Sequence, residues 1–157
     1  MRIISSEIIK NTVEGMCVKA NCVLPDDIKK AIDKAQNSEC DDMPKSIFGQ
    51  LKENYTIAEN ENIPICQDTG MAVFFIEIGK NVFVEGDSIE DAVNKGVSDG
   101  YTKGYLRASV VGDPLERVNT KDNTPAVIYY SFTDGDKIKI TFAPKGFGSE
   151  NMSAVKM

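Results

Sequence analysis

The chain has 157 residues, of which 41% are hydrophobic and 27% are charged, and its formal net charge is −6. This length and composition are typical of a soluble domain with a substantial core, so we expect residues 1–157 to form a single domain. The acidic balance argues against a nucleic-acid-binding surface, and no apolar run reaches membrane-spanning length. Residues 1–7 lack the apolar core of a signal peptide, so the expected location is the cytoplasm.

The first third of the chain predicts three helices with apolar stripes at helical spacing. The second begins at Pro25, with acidic residues in its first turn, and the third follows Pro44. The stripe residues are Ile4, Ile8, Ile9, Thr12, Val13 and Met16 in the first helix, Ile28, Ala31, Ile32 and Ala35 in the second, and Ile47, Phe48, Leu51 and Tyr55 in the third. We expect all three stripes to belong to the core.

The rest of the chain predicts two β-hairpins with a helix between them. Branched and aromatic residues over 71–78 and 82–85 flank one turn, and those over 126–132 and 137–143 flank another. Between them Ser88 begins a capping box, and a helix follows. Its regularly spaced glycines predict a smooth face that lies close to the sheet: Gly96, Gly100 and Gly104. The predicted class is therefore α+β, with N-terminal helices followed by a largely antiparallel sheet of two hairpins and an intervening glycine-faced helix.

Four cysteines and no histidine constrain the chemistry. Cys17 and Cys22 lie among apolar residues and are interpreted as small buried side chains, whereas Cys40 is expected near the surface. The spacings fit no zinc motif, disulfides are not expected in a cytoplasmic chain, and Cys66 has no partner at CxxC spacing for thiol-redox chemistry. Without histidine, this chain alone cannot assemble a Ser-His-Asp or Cys-His catalytic arrangement.

The loop 64–70 carries a thiol, an amide, a carboxylate and a hydroxyl at consecutive positions, from Cys66 to Thr69. Pro64 favours extended backbone before them, and Gly70 permits a sharp turn into the predicted strand. Loops of this kind commonly present reactive groups on a rigid scaffold. A thiolate beside hydrogen-bonding side chains indicates a metal ligand with substrate contacts next to it.

Two of the three arginines, Arg107 and Arg117, lie in one short segment. The planar guanidinium is favoured where a carboxylate is held at two points, and Arg107, just beyond the glycine-faced helix, is the better candidate anion ligand. For Arg117 a salt bridge with Asp113 or Glu116 is equally open. Together with the glycine-rich loop 145–148, these features predict a metal-assisted site for a small anion.

Several segments share their order and spacing with one known family: 64–70, 106–109, 113–115, 119–120, 122–126 and 145–151, with a looser match over 19–25. In these segments the chain resembles the class I, iron–sulfur fumarate hydratase and tartrate dehydratase family, and in particular the N-terminal part of the alpha subunit of the two-subunit forms. The resemblance implies a [4Fe–4S] hydro-lyase, in which three cysteines hold the cluster and a fourth iron is open to substrate. Fumarate and malate are the first substrate expectation, and tartrate is the next.

The resemblance also implies roles for individual residues. Cys66 matches the first cluster ligand. Gln67, Asp68, Arg107 and Gly148 match positions that surround the substrate, and Arg107 would pair with a carboxylate. Asp68 is the candidate catalytic residue, able to position a proton or a water, while the identity of the base stays open. Other matching positions shape the loops: Thr69, Asn123, Thr124 and Lys145.

None of Cys17, Cys22 and Cys40 matches the second and third cluster cysteines of the family, which lie in a later part of the alpha subunit. The resemblance therefore implies that this chain is a piece of a longer protein, inactive alone. Its implied partners are the remainder of an alpha subunit, a beta subunit and further copies in a homo-oligomer. The alternative interpretation is a binding or interaction domain that keeps the fold without the cluster. Neither interpretation involves nucleic acid or a membrane.

Overall fold

The computed structural model describes residues 1–148 and 150–157 in full and residue 149 by its backbone. Its helices are α1 (Ser6–Cys22), α2 (Asp26–Ser38), α3 (Asp42–Glu61), α4 (Ile89–Lys103) and α5 (Gly148–Asn151). Its strands are β1 (Arg2–Ser5), β2 (Met71–Gly79), β3 (Val82–Glu85), β4 (Val127–Thr133) and β5 (Ile138–Lys145). The α+β class is confirmed. Within the described part of the chain, no helix has the length and apolar character needed to cross a bilayer.

A three-stranded sheet of order β4-β2-β5 organises the fold. Strand β2 pairs in parallel with β4 over residues 73–79 and antiparallel with β5 over residues 71–78. The most apolar run of the chain takes the middle position, where both of its edges are hydrogen-bonded. Alternate β2 side chains are buried on one face of the sheet: Ala72, Phe74 and Ile76.

The two predicted hairpins do not form, because the strands that flank each turn pair with other strands. Strand β3 lies beside β1 in a separate parallel pair. The turn between β4 and β5 crosses the end of β2, where Gly79 N–H donates to Lys137 O and Asn81 N–H to Gly135 O, both at 2.9 Å. A Cβ on Gly79 would lie 2.6 Å from the Gly135 carbonyl oxygen, so the crossing requires glycine. The sheet is therefore mixed rather than largely antiparallel.

The glycine face of α4 packs against helix α1, not against the sheet as predicted. A Cβ on Gly96 would lie 2.6 Å from the Lys10 carbonyl oxygen, and one on Gly100 would lie 2.9 Å from Cys17 Cβ. Missing side chains at this spacing make a groove along the helix, and the ridge of a second helix fits that groove as well as a sheet would.

The core lies between the sheet and helices α1 and α4. Helix α1 contributes Ile9, Val13 and Cys17, all of them buried. Two other residues of the predicted stripe, Ile4 and Ile8, do not lie at the centre of the core. Ile8 is 60% exposed, and Ile4 belongs to strand β1.

Helices α2 and α3 contact each other outside this core. Among the described residues α2 has none that is buried, and Ile28 and Leu51 are 45% and 44% exposed. An ion pair of 2.6 Å between Lys29 and Glu59 links the two helices. The expectation that their stripes belong to the core is wrong, because helical periodicity shows that a face is apolar but not which element covers it.

Candidate active site

The loop 64–70 is fixed to the N-terminal helices at its start. Ile65 N–H donates to the Asn21 carbonyl oxygen at the end of α1 at 2.9 Å. Asn54 of α3 donates from Nδ2 to the Ile65 carbonyl oxygen at 3.0 Å. Cys66 follows directly and is exposed. Two anchors on the preceding residue therefore hold the exposed thiol at a defined place.

The other end of this loop is buried against α4 and β5. The Tyr101 hydroxyl donates to the Thr69 carbonyl oxygen at 2.8 Å. Burial raises the pKa of Tyr101 well above its usual value, which keeps the phenol protonated as a donor. Gly70 has φ of 69°, and a Cβ there would overlap the Lys145 carbonyl group. This position therefore excludes a side chain on grounds of both conformation and space.

Thr69 joins the loop 64–70, the thiol loop, to the segment 106–117, the arginine segment. Its side chain is buried, and its Oγ1 accepts from Arg107 N–H at 2.9 Å and donates to the Arg107 carbonyl oxygen at 3.1 Å. One hydroxyl is both a donor and an acceptor, so it satisfies both backbone groups of Arg107. The Arg107 backbone is held while its side chain is exposed.

Asn123 makes a second link between the same two segments. It is fully buried, its Nδ2 donates to the Gly70 carbonyl oxygen at 2.9 Å, and its Oδ1 accepts from Ser109 N–H at 2.8 Å. Its φ of 64° lies in the left-handed region, which asparagine adopts more readily than most residues. The amide group thus bridges two backbone segments from a third loop.

Asp68 links the same loop to the end of β5. Its carboxylate oxygens accept from Phe147 N–H at 3.1 Å, and Oδ2 also accepts from Gly148 N–H at 3.1 Å. Nearby, Lys145 Nζ lies 2.9 Å from a carboxylate oxygen of Glu150. Hydrogen bonds to a charged acceptor are stronger than neutral ones, so the carboxylate holds the glycine-rich loop beside the thiol loop.

Four separate segments, which carry Cys66, Arg107, Asn119 and Gly148, meet around one cleft of about 600 Å³. The cleft is lined by Cys66, Gln67, Asp68, Arg107, Ala108, Ser109, Asn119, Phe147 and Gly148. The cleft thus brings together the five residues predicted to bind the cluster or the substrate: Cys66, Gln67, Asp68, Arg107 and Gly148. The lining is polar and carries a thiol, a carboxylate, an amide and a guanidinium, which suits a small polar anion.

Four lining residues were not among the predicted site residues: Ala108, Ser109, Asn119 and Phe147. Asn119 lies in one of the segments shared with the family, and its Nδ2 donates to the Ala108 carbonyl oxygen at 3.0 Å, which places it at the cleft. Phe147 was noticed only as part of a glycine-rich loop. Its backbone N–H, rather than its ring, makes the contact with Asp68, and no side-chain motif signals a backbone donor.

The two arginines of the central segment differ in their surroundings. Within residues 1–148 and 150–157, no carboxylate forms an ion pair with either guanidinium. The salt bridge considered for Arg117 is therefore absent there. The carboxylate of Asp113 instead accepts from the backbone N–H groups of Glu116 and Leu115, which lowers the pKa of Asp113. Only Arg107 lines the cleft.

The four cysteines differ in burial and in whether they line the cleft. Cys17 and Cys22 are buried, as predicted, and burial raises the pKa of Cys17 to about 12 and raises that of Cys22 as well. Because the thiolate is the metal ligand, these two thiols are poorly suited to bind metal. Cys40 is exposed, as predicted, and lies outside the cleft. Cys66 is the thiol that the cleft presents, and no group of three or more potential ligands occurs among the described residues.

A model of the fumarate hydratase (Fumerase) family matches residues 10–157 of the chain. The chain belongs to this family. The match confirms the family that the motifs of the thiol loop, the arginine segment and the glycine-rich loop predicted.

Individual relatives agree with this assignment. The chain is 37% identical over 155 residues to the "Putative L(+)-tartrate dehydratase subunit alpha" of Methanocaldococcus jannaschii, covering 95% of this chain and 54% of the relative. It is 36% identical over 115 residues to the anaerobic class I fumarate hydratase of Escherichia coli K12, covering 72% and 21%. It is 30% identical over 129 residues to the L(+)-tartrate dehydratase subunit alpha of Escherichia coli UTI89, covering 80% and 42%. The chain spans about half the length of these relatives, or less.

Proposed function

We propose that this chain forms part of a [4Fe–4S] hydro-lyase that reversibly adds water to, or removes it from, a small dicarboxylate. The observation that carries the proposal is the convergence of an exposed thiol, Cys66, and an arginine free of ion pairs among the described residues, Arg107, on one polar cleft. Membership of a family whose named relatives are fumarate hydratases and tartrate dehydratases supports it.

The cleft offers one thiol that can act as a ligand of an iron–sulfur cluster. Such clusters are held by cysteine thiolates, and Cys66 is exposed on the cleft while Cys17 and Cys22 are buried with raised pKa values. We propose that Cys66 supplies one ligand and that the remaining cysteines come from the rest of an alpha subunit. When bound, a cluster with an open iron supplies a Lewis acid that polarises a substrate hydroxyl. With one ligand of three, this chain alone is proposed to be inactive.

Arg107 is proposed to bind a substrate carboxylate. Its planar guanidinium offers parallel N–H donors that match the two oxygens of a carboxylate. Its backbone is fixed at both polar atoms by Thr69, so the side chain extends from a rigid base. Gln67, on the same lining, presents an amide that both donates and accepts, which suits the hydroxyl or second carboxylate of the substrate.

Asp68 and Gly148 are proposed to complete the substrate contacts. The Asp68 carboxylate is held at the cleft by the Phe147 and Gly148 amides, where it can orient a water or hold a proton close to the reacting carbon. The Gly148 N–H lies on the same lining and brings backbone close to any bound carboxylate. The general base itself is left to the remainder of the assembled enzyme.

The substrate is proposed to be fumarate or malate first and tartrate second. These ligands share two carboxylates and differ in hydroxyl groups, and the cleft of this chain supplies one guanidinium for them. The names of the relatives support both choices, and those of the tartrate dehydratase alpha subunits support a beta-subunit partner. We further propose a homo-oligomeric, cytoplasmic enzyme.

The proposal is tested on the enzyme assembled anaerobically with iron from the complete alpha subunit and a beta subunit. Arg107→Lys keeps the charge but loses the planar fork, and Arg117→Lys makes the same change outside the cleft. A hydrogen bond to a charged group contributes ~1.5–3 kcal/mol, so Arg107→Lys is expected to lower kcat/KM for the dicarboxylate about 10- to 100-fold. Arg117→Lys is expected to leave it unchanged.

Hydration of fumarate or dehydration of tartrate by the assembled wild type supports the proposal. A fully assembled protein with neither activity contradicts it and leaves the binding-domain interpretation. Equal kcat/KM for the two lysine variants contradicts the role of Arg107. Full activity of the purified 157-residue chain alone contradicts the proposal that it is one part of a shared site.

A further inference from the structure

The position of Arg107 depends on its backbone rather than on its side chain. The segment 106–110 belongs to no helix or strand. Its backbone hydrogen bonds to other main-chain groups lie at its two ends, from Leu106 N–H to Tyr101 O at 2.9 Å and from Thr120 N–H to Val110 O at 3.0 Å. The guanidinium is exposed, and no ion pair with a described residue restrains it. Whatever sets the direction of Arg107 must therefore act on the main chain of this segment.

Two buried side chains act there. The Thr69 hydroxyl holds both backbone groups of Arg107, and the Asn123 amide connects Gly70 to Ser109, two residues further along. Thr69 is 2% exposed and Asn123 is 0% exposed, so neither bond competes with bulk water. The two links lie on either side of Ala108 and join the same pair of segments, which fixes both their separation and their relative direction.

We propose that Thr69 and Asn123 are positioning residues that hold the Arg107 guanidinium in the cleft that Gln67 and Asp68 also line. This inference rests on the proposed function, since it assigns the pair a role in binding a dicarboxylate. A displacement of 1 Å remote from the chemistry can cost about 100-fold in rate, so a shift of this backbone reaches the substrate even though neither residue lines the cleft.

Matched substitutions separate positioning from packing. Thr69→Val keeps the shape and removes both hydrogen bonds, whereas Thr69→Ser keeps the hydroxyl. Asn123→Gly removes both hydrogen bonds of the side-chain amide, and glycine tolerates the positive φ of this position. Val93→Ala, in the fully buried core of α4 and away from the cleft, is the control for lost stability alone.

The readout is the affinity of the assembled enzyme for succinate, a dicarboxylate that cannot undergo hydration, measured by calorimetry. Thr69→Val and Asn123→Gly are each expected to weaken binding about tenfold or more, Thr69→Ser less than threefold, and Val93→Ala not at all. In an Arg107→Ala background, Thr69→Val and Asn123→Gly are expected to cause no further loss, because they act through Arg107.

The inference is overturned if the effects of Thr69→Val and Asn123→Gly add fully to that of Arg107→Ala. It is also overturned if Val93→Ala weakens binding as much as they do. If the wild type binds no succinate, the proposed function fails. The positioning role of Thr69 and Asn123 is then tested by hydrogen exchange at the Arg107 and Ser109 amides. Thr69→Val should then accelerate exchange at Arg107 and Asn123→Gly at Ser109, with Thr69→Ser unchanged. Unaltered exchange in Thr69→Val and Asn123→Gly overturns the positioning role independently of the proposed function.

Discussion

The carboxylate of Asp68 accepts hydrogen bonds from the backbone of Phe147, with both oxygens 3.1 Å from the amide nitrogen. A residue proposed to contact substrate therefore also holds the loop that closes the other side of the cleft. The two functions are coupled, because any change in the charge of Asp68 alters the shape of the site as well as its chemistry.

Asp68→Asn is expected to disturb both. An amide presents one acceptor oxygen, and its NH₂ group faces backbone N–H donors, so the Phe147 and Gly148 contacts weaken. In the assembled enzyme kcat is expected to fall about 100-fold or more, a typical loss for a positioned proton-transfer group. Hydrogen exchange of the Phe147 and Gly148 amides is expected to accelerate. Asp134→Asn, which removes a carboxylate that is 89% exposed and pairs with Lys80, is the control. Normal exchange together with normal kcat in Asp68→Asn would contradict the account.

Alkaline pH is expected to destabilise the fold through Cys17. Burial raises the folded-state pKa of this thiol from 9.0 to about 12. As the pH rises, the thiol of the unfolded chain loses its proton before the buried thiol does. The contribution of the protonated Cys17 to the free energy of unfolding is therefore complete below pH 9 and is lost as the pH rises towards 12. The loss is on the order of 1 kcal/mol per pH unit in this window.

The measurement is the free energy of unfolding by urea at pH 8, 9.5 and 11 for the wild type and Cys17→Ala. The variant is less stable at pH 8 because it loses a packed sulfur, but its stability should decline less with pH. Tyr101, whose pKa is also raised by burial, leaves a residual decline in both proteins. Parallel pH profiles for the two proteins would show that Cys17 does not titrate as argued.

The contact between α1 and α4 is tested by adding one methyl group. Gly100→Ala places a Cβ 2.9 Å from Cys17 Cβ and 3.0 Å from the Glu14 carbonyl oxygen. Overpacking of this kind costs ~1–3 kcal/mol, which exceeds the ~1 kcal/mol that alanine gains over glycine in a helix. The variant is therefore expected to unfold at lower urea.

Gly15→Ala provides the opposite case on the partner helix. A Cβ at Gly15 would meet no atom within 4 Å, so the substitution is expected to stabilise by ~0.5–1 kcal/mol through helix propensity alone. A stabilising effect of Gly100→Ala would contradict the close helix contact.

The residues that line the candidate site could be identified from the sequence because several of them lie in short, contiguous motifs, whereas their roles stay predictions. Cys66, Gln67 and Asp68 are adjacent in the chain, and the turn-forming residues around them already indicated a loop. Ser88 was likewise identified as a helix cap, and its Oγ accepts from Asp91 N–H at 3.0 Å. Such features depend on neighbours within a few positions, where local conformational preferences decide the structure.

The pairing of strands could not be predicted in the same way. The segments 71–78 and 82–85 are both extended, but β2 inserts between β4 and β5 while β3 joins β1. Turn signals show where the chain reverses, and they do not show whether a third strand enters the gap. The glycines of α4 illustrate the same limit, since a smooth helix face fits a sheet or another helix equally well.

The most direct test of the account is the iron and acid-labile sulfide content of the anaerobically assembled enzyme carrying Cys66→Ser. Cys40→Ser removes a second exposed thiol that lies outside the cleft and serves as the matched control. Cys66→Ser is expected to lose the cluster and the hydro-lyase activity, whereas Cys40→Ser is expected to retain both. A Cys66→Ser enzyme with the iron, sulfide and activity of the wild type would contradict the account.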